Sequence, residues 1–162
     1  MTMDFGHREE HLDDEMLLIQ ANIDDMNPEF ASHVTDRLFE QGANDVYWIP
    51  IVMKKGRPGL MLNVLAHKER LDRIEQVIFS ETTTLGLRYM HAVCHRLGRR
   101  FVTVDTPWGG VRVKTGYHQG RLVQYAPEFR DCEAIALKHG VPLKQVYDEV
   151  KKRFGHSPEG SA

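Results

Sequence analysis

The sequence has few of the features that quickly assign a chain to a class. Its two cysteines, Cys94 and Cys132, are far apart and match no CxxC pattern, which argues against a disulfide scaffold. We predict that both are buried thiols of a reducing cytoplasm rather than catalytic or metal-binding ones. No apolar run approaches the ~20 residues of a membrane-spanning helix, and the N-terminus has no basic segment followed by an apolar one. We therefore expect a cytoplasmic protein with no membrane partner.

The chain also lacks an excess of positive charge and the common catalytic motifs. Lys and Arg number 21 against 23 Asp and Glu, giving a net charge of −2, so anion binding has to be local. RNP aromatics are absent, and we expect no nucleic-acid partner. The sequence contains neither a Walker GxxxxGK[ST] loop nor HExxH nor GxSxG. Nine histidines form no pair at i, i+4 on a predicted helix, so a permanent zinc site is not expected, and His7 and His11 of the N-terminal arm are expected to be solvated.

What the chain does have is a cationic, glycine-containing loop, MKKGRPG, at residues 53–59. Lys54 and Lys55 carry point charges, and Arg57 can make a planar two-pronged contact with phosphate or carboxylate oxygens. Gly56 and Gly59 allow a positive φ or a close backbone approach to a ligand. The loop is predicted to bind an anion such as a polyphosphate. A solvated basic hairpin turn is the alternative.

Two further loops carry polar groups near predicted ends of elements. Asp24 and Asp25 follow the first predicted strand and suit Mg²⁺ or Mn²⁺, especially an ion held by nucleotide phosphates, although an aspartate before a helix is ordinarily an N-cap. The threonines of ETTTLGLR, residues 81–88, offer hydroxyls to phosphate, ribose or metal-bound water, and Arg88 follows them. Helix capping and a lead into a strand would explain the threonines equally well. Lys114 is another polar group near an element end.

The order of predicted elements indicates an α+β fold. Residues 1–15 are predicted to be a disordered arm, residues 16–97 a ferredoxin-like β-α-β-β-α-β subdomain, residues 98–154 a small subdomain with a β-meander and two helices, and residues 155–162 a disordered tail. The predicted strands are Met16–Asn22, Val46–Val52, Leu60–Ala66, Leu87–His95, Phe101–Thr106, Val111–Lys114 and Gly120–Ala126. The first predicted helix has Pro28 in its first turn and stops at Gly42. The other three predicted helices cover Glu69–Ser80, Glu128–His139 and Pro142 to about Phe154.

Hydrophobic patterns inside these elements predict what is buried. Phe30, Val34, Leu38 and Phe39 recur at helical spacing and are expected to face the core. Pro50 makes its strand an edge strand or a bulged one. Trp48, inside an apolar strand, is predicted to be a core residue rather than a platform for a base. The two helices of the first subdomain would cover one face of the sheet and leave the other for a partner subunit or the rest of the chain.

Five segments taken together are specific: NIDDMNPE (22–29), PIVMKKGRPG (50–59), ETTTLGLR (81–88), VTVDTPWGGVRVK (102–114) and APEFRDC (126–132). In this order and spacing they resemble the C-terminal domain of the LarC nickel-insertion proteins. MKKGRPG followed by ETTTLG is the most specific part, and the resemblance covers about residues 16–152. It implies a role in making the nickel-pincer nucleotide of lactate racemase-type enzymes. In that family nickel is inserted into pyridinium-3,5-bisthiocarboxylic acid mononucleotide in a reaction that depends on CTP and on Mn²⁺ or Mg²⁺.

The resemblance also implies roles for individual residues. Because the C-terminal domain is the CTP-binding part, Lys54, Lys55 and Arg57, with the backbone at Gly56, are expected to bind the triphosphate. Asp24 or Asp25 is expected to hold the divalent ion. Phosphate or ribose contacts are expected from the remaining candidates, which are Thr83, Thr84, Arg88 and Lys114.

Two function classes remain open from the sequence. One is the CTP-binding half of a CTP-dependent nickel chelatase or cyclometallase of the lyase class, which needs a separate N-terminal LarC domain because only about fifteen residues precede the matched segments. The other is a non-enzymatic ferredoxin-like sensor or assembly module that binds a nucleotide or another anion. A homo-oligomer is expected in either case, from the uncovered sheet face and from the resemblance.

Overall fold

The computed structural model describes residues 8–157 and Gly160. The elements in chain order are β1 (His11–Ile23), α1 (Phe30–Glu40), β2 (Asp45–Met53), β3 (Arg57–His67), α2 (Leu71–Glu81), β4 (Arg88–Arg96), β5 (Gly98–Thr106), β6 (Gly109–His118), β7 (Arg121–Pro127), α3 (Phe129–His139) and α4 (Leu143–Gly155). They form two compact units. One contains residues 13–94, and the other contains the residues from His95 onward with the described residues up to Leu12.

The unit of residues 13–94 has the predicted ferredoxin-like arrangement. Its four strands lie in the order β2-β3-β1-β4, and β3 pairs antiparallel with both β1 and β2. The order confirms that Pro50 lies on an edge strand, where a missing N–H interrupts no ladder. Alternate residues of β1 and β3 are buried with one stripe of each helix, and together they form the core: Ile19, Ala21, Ile23, Leu62, Val64, Val34, Leu38, Ile74 and Ile78.

Two expectations about this core need correction. Phe30 and Phe39 of α1 are 48% and 44% exposed, whereas Val34 and Leu38 are fully buried. Because a helix turns by about 100° per residue, Phe39 lies well around the surface from Leu38. The buried stripe is therefore narrower than predicted.

Trp48 packs against this core and donates its indole N–H to Thr35 Oγ1 at 3.0 Å, which confirms the prediction that it is a core residue.

The other unit is the predicted meander with two helices. Its strands lie in the order β5-β6-β7, each pair antiparallel, and α3 and α4 pack on them. Phe154 at the end of α4 is its largest fully buried side chain. Cys132 is buried as predicted, and burial raises the pKa of its thiol, while Cys94 is only half-buried. The α+β fold class is thus confirmed.

The N-terminal arm is shorter than the sequence predicts. Strand β1 begins at His11 instead of Met16, although only Met16–Ile23 pairs with β3. The extension was missed because HLDDE has no apolar alternation. His7 and the rest of residues 1–7 lie outside the described residues, as do residues 158, 159, 161 and 162, which are half of the predicted tail. Within the described part of the chain, no helix is long and apolar enough to cross a membrane.

Candidate functional site

The cationic loop is the hairpin turn between β2 and β3. Met53 pairs with Arg57, so Lys54, Lys55 and Gly56 form the exposed tip. Lys55 and Gly56 both have positive φ, 63° and 70°. A lysine in this left-handed region costs about 1–2 kcal/mol. Local stability therefore does not account for Lys55 at this position, since glycine would form the same turn with less strain.

Gly59 serves the fold rather than a ligand. A Cβ at this position would lie 2.8 Å from the backbone oxygen of Ile23 and 2.8 Å from Met53 Sδ. The missing side chain therefore lets the start of β3 lie against the end of β1. This contact brings the hairpin close to the residues that follow β1, which include Asp24 and Asp25.

The acidic loop after β1 meets both other loops. Asp24 Oδ2 lies 3.5 Å from Arg57 Nη1, and the Asp24 side chain is only 17% exposed. Asp25 Oδ1 accepts a hydrogen bond of 2.5 Å from the hydroxyl of Thr83 in the α2–β4 loop. Strands β1 and β2 end, and strands β3 and β4 begin, at the same end of this sheet, so all three loops converge there. We call this end of the sheet the loop edge. Carboxylates, a guanidinium and a hydroxyl are thereby brought together.

Neither aspartate caps helix α1. The turn before α1 is closed by Asn27, whose side-chain oxygen accepts from the backbone N–H of Glu29 at 3.1 Å, and no side chain caps the helix N-terminus. The capping alternative for Asp24 and Asp25 is therefore wrong. Their carboxylates face the hairpin and the threonine loop instead.

Of the three threonines after α2, two make hydrogen bonds within the fold and one contacts the acidic loop. Thr82 donates from its hydroxyl to the backbone oxygen of Ile78 at 2.6 Å and so caps α2, as the structural alternative proposed. Thr84 closes its own loop by donating to the oxygen of Gly86 at 2.7 Å. Thr83 is exposed and is the member of the set that reaches the acidic loop.

The remaining two candidates are placed differently. Arg88 begins β4 and donates to Gln20 Oε1 at 3.1 Å and to Asn22 Oδ1 at 3.3 Å, so its guanidinium is held by side chains of β1. Lys114 belongs to the other compact unit, on β6. There it lines a cavity of about 340 Å³ together with Arg96 and Arg99.

The charges at the loop edge suit an incoming anion. Lys54 and Lys55 form no ion pair with any residue that the structure describes, and Arg57 has a side chain 58% exposed despite its contact with Asp24. Two carboxylates are few for a metal site made of protein ligands alone. They match Mg²⁺ or Mn²⁺, which protein sites often hold with one or two carboxylates and complete with water and phosphate oxygens.

One group of metal-binding type was missed from the sequence. Glu10, His95 and His118 converge in the unit that contains β5–β7, although they come from segments far apart in the chain. No motif at short spacing could have indicated it, because the pairing of strands alone brings these residues together.

Comparisons with known proteins agree on one family. A family model described as nickel insertion protein matches residues 2–147. The chain is 46% identical over 143 residues to the pyridinium-3,5-bisthiocarboxylic acid mononucleotide nickel insertion protein of Acetivibrio thermocellus, and 43% identical over 140 residues to the protein of the same name from Clostridium kluyveri. These alignments cover 88% and 86% of this chain but only 35% of each relative. The chain thus spans about a third of the length of these relatives.

Solved structures indicate the same family. LarC2, the C-terminal domain of a cyclometallase involved in the synthesis of the NPN cofactor of lactate racemase, solved in its apo form, superposes with a TM-score of 0.80 at 35% identity. The match covers 89% of this chain and 97% of LarC2. Protein MK0293 from Methanopyrus kandleri, at 24% identity and a TM-score of 0.67, shares the fold. The chain belongs to the nickel insertion protein family and corresponds to the C-terminal domain of its members.

Proposed function

We propose that this chain is the nucleotide-binding part of a nickel-inserting cyclometallase, with CTP as the nucleotide. The convergence of the three loops carries the proposal: Arg57 contacts Asp24, and Thr83 contacts Asp25, beside two lysines at the tip of a hairpin. Such an edge can bind a triphosphate and its divalent ion together. The likeness to a cyclometallase C-terminal domain supports nickel insertion as the reaction served.

Each group has a definite task in this proposal. Lys54, Lys55 and Arg57 would neutralise the triphosphate, and Arg57 would make the two-pronged contact that a guanidinium allows. Asp24 and Asp25 would hold Mn²⁺ or Mg²⁺. The ion would supply a positive charge that weakens the repulsion between the phosphates and these carboxylates and polarises the phosphates. Arg57 would then exchange its contact with Asp24 for one with phosphate.

The remaining predicted ligands are Thr83, Thr84, Arg88 and Lys114. Thr83 could donate to a phosphate oxygen in place of Asp25, since its side chain is exposed. Thr84 and Arg88 already make hydrogen bonds within the fold and would hold the α2–β4 loop in position. We retain Lys114 as a candidate for a separate anion contact in its own cavity.

This chain would act together with an N-terminal LarC domain. The relatives are about three times as long as the part that this chain matches. The remaining two thirds would be required to insert nickel, the metal substrate, into pyridinium-3,5-bisthiocarboxylic acid mononucleotide. We also propose homo-oligomerisation through strand β2, where Tyr47 and Ile49 are 42% and 41% exposed. Sedimentation at increasing protein concentration checks this, and a strictly monomeric chain would refute it.

Calorimetric titration tests the nucleotide proposal. CTP, ATP, GTP and UTP are each titrated into the full chain with and without Mn²⁺. We expect CTP to bind more tightly than the other three nucleotides, and we expect it to reach full affinity only in the presence of Mn²⁺. Equal affinity for all four nucleotides would favour the sensor or assembly module, and no binding of any nucleotide would refute the proposed function.

A further inference from the structure

Glu10, His95 and His118, which the nucleotide proposal does not use, share one small volume in the unit that contains β5–β7. Oxygen Oε1 of Glu10 lies 2.7 Å from Nε2 of His95 and 2.6 Å from Nδ1 of His118. One potential ligand atom of each residue lies within 4.8 Å of the other two. The histidine side chains are 52% and 46% exposed, so solvent reaches the group from outside.

The carboxylate at the centre is held in place by the backbone. Its second oxygen, Oε2, accepts a 2.6 Å hydrogen bond from the backbone N–H of Gln119. Gln119 itself has a φ of 50°, a left-handed conformation that costs about 1–2 kcal/mol outside glycine. With Oε2 held in this way, Oε1 is directed at both imidazoles.

The segment that carries Glu10 is also fitted closely to the sheet. A Cβ on Gly98, the first residue of β5, would lie 3.2 Å from the Glu10 nitrogen and 3.3 Å from the Arg8 oxygen. Glycine at this position lets the segment pass directly over the strand. The position of Glu10 is thus fixed by its neighbours on both sides.

Stability alone does not explain this construction. Ion pairs between exposed groups contribute about 0–1 kcal/mol, and a single histidine would satisfy Oε1. Here two imidazoles from β4 and β6 converge on the same oxygen, and a strained residue orients the carboxylate. Carboxylates that bind metals are themselves hydrogen-bonded, as Oε2 is here by the Gln119 N–H, and this leaves Oε1 facing the two imidazoles.

We propose that Glu10, His95 and His118 form a binding site for one divalent transition-metal ion, of the class represented by Ni²⁺ and Zn²⁺. Two imidazole nitrogens and one carboxylate oxygen are ligands that these ions accept. Ligand atoms about 2.1 Å from a metal lie about 3.0–3.4 Å apart, so the exposed rings would have to rotate slightly. The ring nitrogen that faces Glu10 must offer its lone pair, and its proton moves to the other ring nitrogen or to solvent.

Three protein ligands leave coordination positions open on the exposed side. Closed four-ligand sites are typical of structural zinc, whereas three ligands with an open position allow exchange or further binding. The site therefore suits an ion that is taken up and released. It shares no residue with the proposed nucleotide site and should bind metal without nucleotide, so the two proposals can fail separately.

Metal titration of the untagged, chelator-treated full chain tests the site. We expect one equivalent of Ni²⁺ or Zn²⁺ to bind in the absence of nucleotide. His95→Gln and His118→Gln should each weaken binding by at least ~10-fold. His139→Gln, which changes an exposed histidine of α3, is the matched control and should leave affinity unchanged. The proposal is refuted if neither ion binds saturably, or if the control weakens binding as much as the other variants.

A second measurement needs no variant and covers the case in which one fails to fold. Zn²⁺ added to the ¹⁵N-labelled wild-type chain should shift the imidazole nitrogen signals of His95 and His118 before those of the other histidines. Selective shifts at other histidines, with these two unchanged, would place the metal elsewhere and overturn the assignment.

Discussion

Removing two charges from the Lys54–Arg57 hairpin should abolish nucleotide binding and leave the fold almost as stable as before. The perturbation is the double substitution Lys55→Ala and Arg57→Ala. A hydrogen bond to a charged group contributes about 1.5–3 kcal/mol. Two lost phosphate contacts therefore remove about 3–6 kcal/mol, which corresponds to a loss of at least ~100-fold in CTP affinity.

The expected effect on stability is much smaller. Arg57 loses one ion pair, with Asp24 at 3.5 Å, and its side chain is 58% exposed, so the cost is at most about 1 kcal/mol. Alanine is as strained as lysine at a φ of 63°, so Lys55→Ala leaves the backbone cost unchanged. For a chain of this size, Tm should fall by no more than about 4 °C.

Calorimetry with CTP and Mn²⁺ and a thermal melt of the same samples measure both effects. Arg73→Ala combined with Lys138→Ala removes two exposed cations outside the site and is the control for net charge. A further variant, Lys55→Gly, removes one charge and relieves the strained φ, so it should weaken CTP binding yet stabilise the fold by about 1 kcal/mol. Wild-type affinity in the double variant, or its failure to fold, would refute the reasoning.

Two other predictions concern the scaffold. Gly59→Ala should destabilise the chain by about 1–3 kcal/mol, because the new Cβ meets the backbone oxygen of Ile23 at 2.8 Å; urea unfolding measures this, and Gly155→Ala, where nothing lies within 4 Å, should show no such loss. Asp131→Asn should cost about 1–2 kcal/mol at pH 7, because Asp131 accepts three hydrogen bonds from Arg112. Arg112 lowers the pKa of Asp131 below its unfolded value of 3.8, so the wild type loses this contribution as pH falls through the folded pKa. Unfolding curves of wild type and variant should therefore converge in acid, and a gap that persists there would contradict the assignment.

The order and type of the elements could be predicted because the local patterns agree with the fold. Apolar runs of strand length, helical spacing of Val34 and Leu38, and glycine or proline at the ends predict seven strands and four helices, in the order observed among the described residues. The sheet order then follows from the split β-α-β arrangement. The exposure of Phe39 could not be predicted, because helical spacing does not define how wide the buried stripe is.

The candidate site was predictable as a set of loops but not as a set of contacts. Chain order and the fold bring Asp24, Asp25, Thr83 and Arg57 to one sheet edge. Which threonine caps α2 and which one contacts Asp25 depends on individual hydroxyl rotamers, which sequence spacing does not determine. The segment APEFRDC is one of those that carry the family resemblance, yet its Asp131 holds the neighbouring strand through Arg112.

The metal group escaped prediction for a different reason. His95 and His118 lie 23 residues apart, and Glu10 lies 85 residues before His95. Only strand pairing brings such distant residues together, and pairing is not visible in local periodicity. The extension of β1 back to His11 could not be predicted either, because HLDDE has no apolar alternation.

A crystal structure of the full chain with CTP and Mn²⁺ tests the central claim most directly. It should show the triphosphate in contact with Lys54, Lys55 and Arg57, and the metal ion bound by Asp24 or Asp25 together with phosphate oxygens. Nucleotide bound elsewhere, or these side chains left in contact only with solvent at saturating CTP, would contradict the claim.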